Sequence, residues 1–197
     1  MSIVRKVRAV EKLFKTLEKD IQSLQSQTQI SCIENCIKCC TTSKIVATSL
    51  EFYPLAYHLF KTGQAELYLS KIEQNNNNAI CPLLNNLVLP DQRLGCGHYD
   101  QRGMICRLFT YNYIVNKYGQ RKIAACKPIV MTQPEQVNKA NELLALNRLG
   151  PKASDYYSQL RYIDFWNGSQ LYPIAQAIQI AIEAILTDSH YRGKKAG

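Results

Sequence analysis

Eight cysteines are the residues of this chain best equipped for chemistry. Four fall within nine residues, Cys32-Ile-Glu-Asn-Cys36-Ile-Lys-Cys39-Cys40, and Cys81, Cys96, Cys106 and Cys126 follow at wider spacing. Thiolates bind soft and borderline metals, ligate iron–sulfur clusters and act as nucleophiles. On a regular helix the first four sulfurs would share one face, in a stripe about 12 Å long. Zinc holds sulfur at about 2.3 Å, so one straight helix cannot bring all four to one ion. The spacing therefore predicts an irregular segment, or ligands that arrive from elsewhere. Cys81 precedes Pro82 and Cys96 lies between Gly95 and Gly97, contexts that suit ligand loops. Four plus four thiols suffice for two tetrathiolate sites, or for one site with spare thiols, and the sequence does not pair them. Disulfides, or burial as small hydrophobes, are weaker readings of so dense a set.

The charges around the later cysteines agree with thiolate chemistry. Between Gln101 and Pro134 stand Arg102, Arg107, Lys117, Arg121, Lys122 and Lys127, with no carboxylate. Positive neighbours stabilise thiolate. Arg107 follows Cys106 and Lys127 follows Cys126, placed to donate hydrogen bonds to sulfur. Arg102, His98 and Tyr99 complete the candidate surroundings. His98, two residues after Cys96, reads first as a loop or packing residue and second as a ligand. Tyr99, Tyr111, Tyr113 and Tyr118 read as half-buried cover for the site. Glu51, Asp100 and Glu183 pair with nothing at a telling spacing. Dinucleotide-binding, P-loop, serine-hydrolase and zincin motifs are lacking from the sequence.

The order Cys36-x2-Cys39-Cys40, Cys81-Pro82-Leu83, Cys96-Gly97-His98-Tyr99, Arg102, Cys106-Arg107-Leu108-Phe109 and Cys126 resembles the YkgJ-type CxxCxxCC cysteine-cluster family. Its members are described as zinc- or iron-chelating, and some as iron–sulfur oxidoreductases. The resemblance spans Cys32–Cys126. The gap from Cys32 to Cys36 holds three residues where the family motif has two, and Arg102-Gly103 stands in place of Arg-Pro. The resemblance implies a zinc ion or an iron–sulfur cluster as cofactor.

The elements that must position these thiols are mainly helical. Val4, Val7, Leu13, Phe14, Leu17, Ile21 and Leu24 recur at helical spacing, which predicts an amphipathic helix over 3–26. Ser49 is placed to cap a second helix that Gly63 stops, with Pro54 kinking it. Helices are expected over 65–73, 136–149, 155–166 and 171–187, the aromatic residues Tyr156, Tyr157, Tyr162 and Trp166 packing into a core. Asn75–Asn78 reads as an exposed loop, 79–99 as irregular structure around the site, and Arg192–Gly197 as a frayed tail. A short hairpin is expected from Phe109–Asn116, turning around Gly119. The expected fold is a mainly α helical domain with an irregular cysteine-rich metal-binding centre. Its parts would be an N-terminal helix (1–29), the cysteine cluster (30–130) and a helical C-terminal region (131–197), forming one compact unit.

With 197 residues, 46% of them hydrophobic, the chain can bury a core. The N-terminal stretch carries a charge every few residues and lacks the apolar run of a secretory signal, and Gln176, Gln179 and Glu183 interrupt the most apolar segment. The expected location is the cytosol, where thiols stay reduced. The formal charge is +9, from 24 Lys and Arg against 15 Asp and Glu. Each tetrathiolate centre would offset about two of these positive charges. Three readings follow in order. The first is a zinc- or iron–sulfur-binding protein with a redox or electron-transfer role. The second is an enzyme modifying or reducing a protein substrate at the cysteine site, with an acidic protein partner on the basic surface. The third, a zinc-stabilised nucleic-acid-binding module, lacks the compact finger spacing and recognition helix it would need.

Overall fold

Helix α1 (Ile3–Thr28) forms because Val7, Val10, Phe14, Leu17, Ile21 and Leu24 line one face, and all six are buried. Gln29 ends it with a φ of 59°, a left-handed stop. The structure, a computed structural model, describes residues 1–74, 80–85, 95–146 and 150–193. The expected Asn75–Asn78 loop, residues 79 and 86–94 of the irregular stretch, residues 147–149 of the predicted 136–149 helix and residues 194–197 of the tail lie outside these. Eight α-helices and three two-stranded antiparallel sheets occur among the described residues, so the fold is mainly α. None of these helices is long and apolar enough to cross a membrane.

The chain divides into two compact units. The first comprises Met1–Glu11, Asn35–Gly103 and Leu160–Gly197. Strand β1 (Val46–Thr48) leads through a 3-10 turn (Leu50–Phe52) into α2 (Tyr53–Lys61), followed by α3 (Ala65–Gln74). Leu50, Phe52, Leu55 and Leu59 pack with Ala177, Ile178, Ala181, Ile182 and Ile185 of α8 (Ile174–Gly193), all within 2% of full burial. Pro54 does not kink α2; it occupies the first turn, where its missing N–H costs nothing. Gly63, at φ 69°, follows the end of that helix. Ser49 does not cap through its side chain; its hydroxyl turns to Asn167, 3.4 Å from Oδ1.

Three further expectations change in this unit. Residues 171–173 are not helical. They form β6 (Leu171–Pro173), paired with β1 in the register Val46↔Pro173, Ala47↔Tyr172 and Thr48↔Leu171. Pro173 pushes Tyr172 out of the helical region, so α8 starts one residue after the proline. Helix α7 (Ala153–Ile163) ends three residues before Trp166. Asp164 then turns the chain by accepting the Asn167 N–H at 3.1 Å, and Tyr162, Phe165 and Trp166 stand 90%, 73% and 74% exposed instead of filling a core.

The second unit comprises Lys12–Glu34 and Met104–Gln159. Leu17, Ile21 and Leu24 of α1 are buried there, as are Leu108 of α4 (Met104–Leu108), Ile129 of α5 (Lys127–Thr132) and Leu144 of α6 (Pro134–Leu146). The expected hairpin is present as β4 (Tyr113–Val115) and β5 (Arg121–Ile123). Gly119 supplies φ 79° at its turn, and Asn116 Oδ1 accepts the N–H groups of Tyr118 and Gln120 at 2.9 and 3.0 Å.

Candidate functional site

The first unit contains five of the eight cysteines and sets four of them, Cys39, Cys40, Cys81 and Cys96, near one another. The segment 34–40 is not a helix but a pair of turns, with Asn35 at φ 57°. That geometry brings the sulfurs of Cys39 and Cys40 to 3.8 Å. The Cys40 carbonyl accepts the N–H of Cys81 at 2.9 Å, which pins the turn to the Cys81-Pro82-Leu83 segment. That segment turns tightly, its Leu84 N–H donating to the Cys81 carbonyl at 3.0 Å, and runs into β2 (Leu84–Asn85). Strand β3 (Gly95–Cys96) lies antiparallel beside it, with Cys96 opposite Leu84. Gly97 N–H closes the corner on the Leu83 carbonyl at 2.8 Å. A ladder two residues long thus sets two cysteine turns side by side.

Both turns aim a backbone donor at sulfur. The N–H of Leu83 bonds to Cys81 and the N–H of His98 bonds to Cys96, each two residues downstream of its thiol. Donors of this kind favour thiolate over thiol and set the affinity or potential of a bound metal. Burial works against them. It pushes Cys81, the most buried of the eight, up to about 12, against the pull of the Leu83 N–H. It also raises Cys96, against the pull of the His98 N–H and the Arg102 charge.

The thiols of Cys39 and Cys40 are hydrogen-bond neighbours and perturb each other in opposite directions. The hydrogen bond from the Cys40 thiol draws Cys39 down to about 6, and Arg102 adds to the effect. The same bond raises Cys40, and burial and the charges of Cys39, Cys81 and Cys96 push it further. The four sulfurs are therefore within electrostatic reach of one another. Emptying the site of protons without a cation would place up to four negative charges together, a state that only a compensating positive charge makes accessible.

Arg102 supplies one such charge. It is 9% exposed and its guanidinium lies 3.7 Å from the ring centre of Tyr99. Gly103, next in the chain, runs so close to Phe52 that a Cβ there would lie 2.7 Å from the ring. His98 Nε2 is engaged by the hydroxyl of Tyr68 at 2.8 Å, and its ring meets those of Tyr68 and His58 edge-on. Burial, then the charges of His58 and Lys71, lower its basicity.

Beyond Cys96 lies a cavity of about 500 Å³. Its walls are Tyr68 and Lys71 of α3, Pro82, Leu83, Leu84, Asn85, Cys96 and Gly97. Nothing in the sequence near the cysteines signals Tyr68 or Lys71. They are 28 and 25 residues before Cys96 and reach the site only because α3 packs there.

The other predicted residues have different surroundings. Cys36 is half-buried in the first unit. Cys32, Cys106 and Cys126 belong to the second. Cys32 is exposed, its N–H donating to the Tyr111 hydroxyl at 2.9 Å. Cys106 lies within α4, and Cys126 precedes the first turn of α5, its carbonyl accepting the Val130 N–H at 3.1 Å. Arg107 meets Glu18 of α1 at 3.2 Å and covers the Phe14 ring at 4.8 Å. The stretch without carboxylates in sequence thus acquires one through folding. Tyr111 and Tyr113 are buried, whereas Tyr118 is 74% exposed, so the tyrosines do not form one half-buried cover.

Among the described residues no disulfide forms. Nor do any three His, Cys, Asp or Glu side chains stand close enough to hold a metal ion as they are placed. The donor chemistry fits a soft or borderline metal, and the 3.8 Å between the Cys39 and Cys40 sulfurs is about the spacing of two thiolates on one tetrahedral zinc. Compared with known proteins, the chain matches no family model, no curated protein and no solved structure.

Proposed function

We propose that the thiols of Cys39, Cys40, Cys81 and Cys96 form a thiolate centre for zinc or an iron–sulfur cluster, in the manner of the YkgJ-type family that the sequence resembles. One observation carries this reading. Two cysteine turns, Cys81-Pro82-Leu83 and Cys96-Gly97-His98, each direct an N–H at sulfur and are set beside the Cys39–Cys40 pair by a short ladder. Buried thiols with backbone donors and a nearby guanidinium gain more from a cation than from a proton. All-thiolate ligation suits both zinc and iron–sulfur clusters, and a centre closed by four sulfurs serves structure or electron transfer. Cys32, Cys36, Cys106 and Cys126 remain candidates for a second centre. Such thiols belong in a reducing compartment, which favours the cytosol. The test is anaerobic purification followed by metal and acid-labile sulfide analysis. A folded protein with neither zinc nor iron overturns the reading.

A second reading, an enzyme that reduces or modifies a substrate at this centre, is favoured by the cavity on whose wall Cys96 lies. The net charge of +9 suits an acidic protein partner better than nucleic acid, for which the sequence lacks the compact ligand spacing of a zinc finger. A change in visible spectrum on reduction, together with turnover of a protein disulfide, would support it; a spectroscopically silent zinc with no turnover would remove it.

A further inference from the structure

The cavity beside Cys96 has a composition of its own. Its volume, about 500 Å³, is in the range of small-molecule sites. Pro82, Leu83 and Leu84 line it together with Tyr68, Asn85 and Gly97, and its exposed lining is mainly polar. Lys71 is the one charged side chain among the described residues that line it. Its Nζ lies 4.7 Å from the centre of the Tyr68 ring, and the Tyr68 hydroxyl is fixed by His98 Nε2. The polar end of the cavity is thus cationic and braced, and Cys96 is on its wall.

We propose that this cavity binds a small polar anion such as a short carboxylate, its charged group against Lys71, on the approach to Cys96. The cavity is then the route by which small molecules approach the thiols. The inference names a ligand class for the proposed centre, but it stands on the cavity and survives if the centre holds no metal.

Alkylation of the chain's own thiols tests it. Iodoacetate and iodoacetamide react at sulfur in the same way, displacing iodide, but only iodoacetate carries a carboxylate. Their rate ratio at one cysteine cancels that cysteine's thiolate fraction, leaving the charge preference of its approach. Rates at Cys96 and at exposed Cys32 are read by peptide mass spectrometry, in the protein as purified and after chelation under reducing conditions, with circular dichroism confirming that the helices persist. The expected iodoacetate-to-iodoacetamide ratio at Cys96 exceeds that at Cys32 by about threefold, the size of an exposed charge pair. Lys71→Gln removes the excess and Lys71→Arg keeps it, while the ratio at Cys32 stays constant in both. Equal ratios at the two cysteines, or an excess that persists in Lys71→Gln, overturn the proposal. Protection of Cys96 before chelation and reaction after it would report a bound metal separately. Metal analysis can therefore fail while the anion preference holds, and the reverse.

Discussion

Gly103→Ala adds one methyl group where the structure has no room for it. The new Cβ would lie 2.7 Å from both Cε1 and Cζ of Phe52 and 3.0 Å from Glu51 Oε2. Neither neighbour can yield easily. Phe52 is fully buried, and Glu51, also fully buried, is held by the Thr48 N–H at 2.8 Å and the Thr48 hydroxyl at 3.1 Å. Overpacking of this kind costs about 1–3 kcal/mol. At roughly 2–4 °C per kcal/mol for a chain of this length, a cost of about 2 kcal/mol lowers Tm by about 4–8 °C. The displaced backbone carries Arg102, so the same variant should also hold metal less tightly. Gly97→Ala is the steric control, because its Cβ would meet only the Leu83 carbonyl oxygen at 3.4 Å. Its stability should stay within about 0.5 kcal/mol of the parent. Urea unfolding followed by circular dichroism, with Tm from calorimetry, measures both. A Gly103→Ala protein as stable as the parent, or no less stable than Gly97→Ala, would refute the packing argument that places Arg102.

Arg102→Gln removes the charge that favours thiolate at Cys39 and Cys96, and metal affinity should fall about 10- to 100-fold in chelator competition. Arg102→Lys should lie between, keeping the charge but losing the flat stack on Tyr99. Burial alone would raise the Asp164 carboxyl, but hydrogen bonds from Lys6 and Asn167 outweigh it and hold the group below the usual carboxylate range. A carboxyl lowered in the folded state contributes stability above its ordinary value near 4, and loses it as pH falls through the folded value. Urea stability of the parent should therefore drop more between pH 7 and pH 3 than that of Asp164→Asn; equal drops would remove Asp164 as a cause. Trp166, the chain's single tryptophan, is 74% exposed, so its fluorescence should be that of water-bathed indole, readily quenched by acrylamide. Trp166→Ala should change stability by no more than about 0.5 kcal/mol, and a blue-shifted, protected emission would contradict that placement.

The helical plan was legible where one physical rule dominates. The period of Val7, Leu17, Ile21 and Leu24 marks α1 because apolar residues at that spacing meet on one side only when the chain is helical. The hairpin was legible because Gly119 and Asn116 provide its turn geometry locally. Legibility ended where a nearby residue overrode the pattern. Pro173 converts the apolar start of α8 into a strand, and the turn at Asp164 cuts α7 short, leaving Phe165 and Trp166 in water. Helix α5 was not legible because six residues starting at Lys127-Pro128 show too little periodicity. For the site, the sequence indicates thiol chemistry but not which thiols meet. That depends on backbone angles at Cys39–Cys40 and on a ladder between Leu84 and Cys96, both set by tertiary structure. The partner of Arg107 is 89 residues away at Glu18, and no local pattern announces it.

The central claim is the proposal that Cys39, Cys40, Cys81 and Cys96 hold a metal. Zinc, iron and acid-labile sulfide per chain, measured on protein purified without oxygen, test it most directly. At least one zinc per chain, or iron and sulfide in cluster proportion, is the expected result. Cys39→Ser and Cys96→Ser should each lower that content while circular dichroism shows the helices intact. A folded parent protein that contains neither metal, or serine variants that retain the full content, would contradict the assignment of these thiols.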